Sequence, residues 1–195
     1  QSLEVWRETM REAVALGPQH ISTYGLTFER GTAFWGRLKK GQLVRVPEDL
    51  EHRMYSAAMD ELPAAGFEPY EISNFARPGF RCRHNEVYWK GLPYAAFGPG
   101  AARYLDGRRE TNHRSTATYL KRVLAGESPV AETERLDPRD KARERLVFGL
   151  RRMEGVDRAA FARATGYALD DLAGESLPRI VAEGSHRKRR PAANR

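Results

Sequence analysis

The sequence predicts an α/β fold that gives way to a mostly helical C-terminal part. Three observations carry this. Helical and strand-like stretches alternate from residue 2 to residue 73, with short joints. The run Ile21 to Phe28, directly after the first helical stretch, is nearly uncharged and rich in strand formers. Beyond residue 114, capping residues stand before helical patterns at Ser115, Asp137 and Asp157.

Leu3, Trp6, Met10, Ala13 and Val14 recur three and four residues apart, so residues 2–16 form one amphipathic helix. Gly17-Pro18 stops it. Ile21 to Phe28 reads as a strand of a parallel sheet covered on both faces. A second helix covers Pro47 to Ala65, with Pro47 near its first turn and Leu50, Met54, Ala58 and Leu62 on one face. Pro63 is expected to kink or fray its last turn, Gly66 to cap it, and Phe67 to Ser73 to form the next strand. Two strands cannot close a parallel sheet, so more of it is expected upstream of Gln1, and the chain reads as a fragment. Residues 74–100, punctuated by Pro and Gly, read as an irregular loop. Ala102 to Asn112 reads as a hairpin turning at Asp106-Gly107, the strongest short signal for a type I′ turn. Ser115 caps a helix carrying Tyr119, Leu120, Val123 and Leu124. Glu127 to Glu134 reads as polar linker. Asp137-Pro138 opens a helix with Leu146, Val147 and Leu150, and Asp157 opens another with Phe161. A last helix over residues 170–182 is broken by Pro178.

The formal charge of +7 suggests nucleic acid, but its distribution does not. Residues 185–195 hold Arg187, Lys188, Arg189, Arg190 and Arg195 and no acid, which leaves +2 for the rest of the chain. No nucleic-acid partner is therefore expected of the body, and the basic end reads as a disordered, solvated tail. No run approaches the roughly 20 apolar residues of a membrane helix. The single cysteine, Cys82, permits no internal disulfide and fits a reducing, cytoplasmic setting.

Chemistry-bearing side chains concentrate at Arg83-His84-Asn85-Glu86-Val87-Tyr88-Trp89. An imidazole there can ligate a metal while the aromatic faces flank a flat ligand. The residues alone leave a second reading open, a packed loop in which His84 is hydrogen-bonded and Tyr88 and Trp89 are anchors. Cys82 and His84 can share one metal in an extended segment, but structural zinc needs further ligands and none clusters nearby. Gly98-Pro99-Gly100 is a turn where backbone can approach a ligand, or only a turn. Thr27 lies near the end of an expected strand, where α/β folds place ligands, and a hydroxyl there serves strand propensity equally well. Ser-His-Asp catalysis has no support, because no nucleophile-elbow sequence is present.

Three stretches together resemble one family: Gln1 to Trp6, His20 to Thr32, and Tyr70 to Trp89 with its His-Asn-x-x-Tyr-Trp element. It is the oxygen-independent coproporphyrinogen III oxidase-like radical SAM family, in its haem-chaperone branch, HemW. The resemblance runs from Gln1 to about Gly184 and implies the C-terminal part of a radical SAM partial (β/α) barrel, followed by a small, mostly helical C-terminal domain. On that basis residues 1–114 are the barrel part, 115–184 a truncated helical domain and 185–195 the tail. The family's [4Fe–4S] cluster and most of its S-adenosylmethionine site belong to a missing N-terminal barrel half. By position along the motifs, Thr27 and Ala102 match residues that line S-adenosylmethionine. Ala102 stands where the family's glycine turn usually continues to His, and the basic tail departs from the hydrophobic end expected there.

The resemblance implies haem binding and transfer to haem-receiving proteins. His84 is then the iron ligand, with Cys82 as the alternative, and Asn85, Tyr88 and Trp89 stand around the porphyrin. Arg81 and Arg83, beside the motif, offer guanidinium groups to haem propionates. The alternatives are oxidative decarboxylation of porphyrinogen propionates and a non-catalytic interaction domain with a basic tail. Because Cys82 is the only thiol and a cubane normally takes several thiolates, the 195-residue chain is expected to hold no cluster after anaerobic reconstitution. Iron and sulfide analysis checks this, and four irons per chain would contradict it.

Overall fold

The computed structural model describes residues 1–174; the expected Pro178 interruption and the basic tail lie outside the described residues. The chain forms two compact units, one from Gln1 to Arg83 and one beginning at His84.

In the first unit, α1 (Leu3–Ala15) starts where the Ser2 side chain accepts the Val5 N–H. It is followed by β1 (His20–Ser22) and by α2 (Ala33–Lys39), whose cap Thr32 accepts from the Trp35 N–H. The apolar-periodicity reading places no element at α2, because this short helix buries no residue. Next comes α3 (Glu48–Ala64), which carries Pro63 in its final turn. The helix runs one residue beyond Pro63 before it stops. The Gly66 N–H donates to the Pro63 carbonyl and the Phe67 N–H to the Leu62 carbonyl. Gly66 sits at φ +86°, the left-handed turn that lets the chain reverse. The reversal stacks Phe67 near Leu62, both fully buried with Met10, Ala57, Ala58 and Phe75. Trp6 packs against this core and donates its Nε1–H to the Met54 carbonyl at 2.9 Å, which fastens α1 to α3.

The sheet of this unit is shorter than expected and ordered differently. The strand expected over residues 21–28 is β1 alone, because its partner β3 (Asn74–Ala76) is only three residues long. After Thr23 donates to the Ser73 carbonyl, this stretch pairs with no further strand among the described residues. With β2 (Glu68–Glu71) the order is β1-β3-β2, antiparallel throughout. The two expected strands do run the same way, but β3 lies between them.

The second unit opens with α4 (Arg83–Trp89), where an irregular loop was expected. The hairpin follows as expected: β4 (Ala102–Leu105) and β5 (Arg108–Asn112), with Asp106 at φ 50° and Gly107 at 72°. Ser115 caps α5 (Thr116–Leu124) by accepting the Thr118 N–H. The stretch expected as linker is a third strand, β6 (Val130–Arg135), antiparallel to β5. Its polarity hid it: everything after Val130 is exposed. Asp137 caps α6 (Pro138–Gly149) and Asp157 caps α7 (Arg158–Thr165), as the sequence indicates. With α8 (Leu169–Ala173) they enclose a small core of Ala142, Leu146, Phe161 and Leu169.

His20 Nε2 lies 2.8 Å from the Tyr70 hydroxyl. Burial holds this imidazole below its ordinary value of 6.5, and the nearby Glu71 charge opposes the shift. A base depressed in the folded state contributes stability that is complete above the unfolded value and lost as pH falls through the folded one. The melting midpoint is therefore expected to fall between about pH 7 and pH 5, and His20→Gln to flatten that slope. Thermal melts across this range check it; equal slopes in the two proteins would contradict it.

Candidate functional site

The His-Asn-x-x-Tyr-Trp element folds as a helix because its side chains pair at helical spacing. Glu86 and Lys90 form an i,i+4 ion pair at 2.9 Å, and His84 meets Tyr88 one turn on. The helix ends as α3 does: Gly91 N–H donates to the Tyr88 carbonyl and Leu92 N–H to the Val87 carbonyl. Pro93 follows and forbids continuation.

His84 is exposed, and its Nε2 lies 3.1 Å from the Tyr88 hydroxyl, with the two rings edge-to-face at 4.9 Å. Behind it stands a row of tyrosines. Tyr88 packs edge-on against Tyr94 at 4.7 Å, and Tyr94 lies 6.2 Å from Tyr104. Tyr94 and Tyr104 also exchange backbone hydrogen bonds of 2.8 and 2.9 Å, which lock this pair to the edge of β4. Trp89 faces elsewhere: its ring lies 6.1 Å from Phe148, and the Arg151 guanidinium sits over it at 4.4 Å. The Trp89 indole N–H is buried and has no hydrogen-bond partner among the described residues. Asn85 is half-buried.

One guanidinium organises the wall beyond the tyrosines. Arg109 on β5 reaches both Glu144 carboxylate oxygens on α6, at 2.7 and 2.8 Å, and Glu134 on β6 at 3.0 Å. The Glu144 hydrogen bonds and charge, with help from Tyr94 and Glu134, raise the guanidinium above its usual range against the opposing effect of burial. Between α4, the hairpin and α6 a cavity of about 380 Å³ opens, with Tyr88 in its wall. His84, Tyr88 and the cavity thus share one unit. None of Tyr94, Tyr104, Arg109 and Glu144 was indicated by the sequence, because they meet from separate strands and helices.

The remaining sequence candidates lie elsewhere or are occupied. Thr27 is exposed on chain without regular structure, five residues past the end of β1. Cys82, half-buried, belongs to the first unit, where its N–H lies 3.4 Å from the Tyr70 hydroxyl. Arg81, in the same unit, lies over the Tyr70 ring at 5.5 Å. Ala102 is the half-buried first residue of β4. The glycine turn before it is tied from inside: Gly98 N–H donates to the Tyr119 hydroxyl, Asn112 Nδ2 donates to the Gly98 carbonyl, and Gly100 N–H to the His113 carbonyl. Among the described residues no group of three or more His, Cys, Asp and Glu is placed to hold a metal ion. No helix among them is long and apolar enough to cross a membrane.

No family model matches the chain. Among curated proteins it is 32% identical to the haem chaperone HemW of Bacillus subtilis, over 94% of this chain and 48% of that protein. It is 38% identical to the HemW of Synechocystis, over 80% of this chain and 38% of the other. The chain thus spans at most about half the length of these relatives. Among solved structures it matches the coproporphyrinogen III oxidase HemN of Escherichia coli, a radical SAM enzyme, with a TM-score of 0.72. That likeness covers 95% of this chain and 45% of the oxidase at 15% identity, so it shows the radical SAM fold alone.

Replacing Arg109 by Gln leaves the Glu144 carboxylate without its bidentate partner on a largely shielded wall. A loss of about 1–3 kcal/mol is expected in chemical denaturation. Unchanged stability would mean that α6 does not depend on this tie.

Proposed function

The chain belongs to the HemW branch of the coproporphyrinogen III oxidase-like radical SAM proteins, and we propose that it supplies the haem-binding and haem-transfer part of such a protein. The observation that carries this reading is the exposed His84 imidazole, held by Tyr88 at the start of an aromatic row. Haem is the cargo, and His84 is its iron ligand. In the tautomer whose Nε2–H donates to the Tyr88 oxygen, the ring keeps its Nδ1 lone pair for iron, and the contact with Tyr88 holds the ring plane. Tyr88 offers its ring to the porphyrin and Asn85 a polar edge, while Trp89, covered by the Arg151 guanidinium and packed beside Phe148, anchors the helix that carries them. An exposed ligand suits a carrier, because a deeply enclosed one would resist handing the cargo to a recipient. Cys82 is the alternative ligand.

In this reading residues 1–114 are the barrel part and 115–184 the helical domain of a protein acting in the cytoplasm and delivering haem to haem-receiving proteins. Thr27 and Ala102 keep the S-adenosylmethionine contacts that the resemblance gives them. S-adenosylmethionine with a [4Fe–4S] cluster would supply radical chemistry, but the one thiol of this chain does not fit such a cluster.

Haem titration of the chain, of His84→Ala and of Cys82→Ala tests the reading. His84→Ala is expected to shift the Soret band and weaken binding about tenfold or more, with Cys82→Ala unchanged. An unchanged His84→Ala removes His84 as ligand; a change in Cys82→Ala alone assigns the thiolate.

A further inference from the structure

The cavity next to His84 carries a charge pattern that the aromatic row does not explain. Three cations, Arg109, Lys141 and Arg145, line it against one carboxylate, Glu144. Arg109 is saturated by Glu144 and Glu134. Lys141 and Arg145 are not: among the described residues neither forms an ion pair, and Lys141 rests over the Tyr104 ring at 5.6 Å. The two stand four residues apart on α6, so they project from one face, with Cβ atoms about 5–6 Å apart. Opposite them stand the rings of Tyr94 and Tyr104, Phe148 lies beside them on the same face of α6, and Tyr88 joins this cavity to His84.

Two uncompensated cations on one helix face, set against aromatic walls, select a planar apolar molecule bearing two carboxylates on the same edge. Resting on the haem reading above, we propose that the cavity seats the propionate-bearing edge of a tetrapyrrole, with Lys141 and Arg145 each pairing one carboxylate. The volume agrees. About 380 Å³ is near the lower end for small-molecule sites, room for one edge of a macrocycle, the remainder extending along the tyrosine row towards exposed His84. Arg145 offers a bidentate fork and Lys141 a movable point charge. The carboxylate partners then come from α6 rather than from Arg81, which is engaged over Tyr70.

The test uses metal-free protoporphyrin IX, so that iron ligation contributes nothing, and follows quenching of its fluorescence on the full 195-residue chain. Lys141→Gln/Arg145→Gln is expected to weaken binding about tenfold or more. The charge-keeping pair Lys141→Arg/Arg145→Lys is expected to recover most of the binding that the Gln pair loses, which separates lost charge from lost folding. The dimethyl ester of protoporphyrin is expected to bind the parent chain as weakly as the free acid binds the Gln pair. Equal affinity of the Gln pair and the parent chain for the free acid, or of the parent chain for acid and diester, overturns the proposal while leaving haem binding standing. A parent chain that binds neither porphyrin nor haem overturns both.

Discussion

The Arg109 guanidinium is the constraint on which the second unit depends. It stands on the middle strand of a three-stranded sheet and reaches Glu134 on the neighbouring strand, Glu144 on α6 and the Tyr94 side chain. Such a fork is stable away from bulk water only when its donors are met by well-placed acceptors, and here the carboxylate of Glu144 accepts twice. The consequence is positional. α6 is held over the hairpin, and α6 brings Phe148, Lys141 and Arg145 to face the tyrosines of β4 and α4. The same helix contributes Ala142 and Leu146 to a small core with α7 and α8.

The first unit is fixed by a different polar device. Glu71 is fully buried at the turn between β2 and β3. Its carboxylate accepts from the Ser73 N–H at 2.7 Å and from the Asn74 side-chain amide. Asn74, also fully buried, in turn accepts from the Ser22 hydroxyl of β1 at 2.6 Å. One chain of hydrogen bonds thus names the partner of each strand and places β3 in the middle. A satisfied network of this kind specifies pairing that apolar packing of Phe67 and Phe75 alone leaves open.

What could be read from the sequence was local. Ser2, Ser115, Asp137 and Asp157 announce their helices because a cap needs only the next three residues. Asp106-Gly107 announces the hairpin for the same reason. The partners of β1 were not legible, since Ile21 and Phe75 meet across more than fifty residues and nothing near either records it. The α4 helix was hidden by the prolines and glycines on both sides, although the four-residue spacing of His84 and Tyr88, and of Glu86 and Lys90, carried the signal. β6 was hidden by its charges. At the candidate site the sequence pointed to the motif residues and not to their surroundings: Tyr94, Tyr104 and Glu144 become neighbours only through the tertiary fold.

The polarity that concealed β6 has a consequence for how these molecules behave at high concentration. Among the described strands β6 borders its sheet, and a bordering strand offers bare backbone to any other chain that can align with it. Here Glu132, Glu134 and Arg135 lie exposed along it. A copy adding its own β6 in antiparallel register would set charged side chains opposite one another and dehydrate them for a few backbone bonds. Intermolecular sheet extension along this border is thereby discouraged, and the residues that make the strand inconspicuous also keep it solitary.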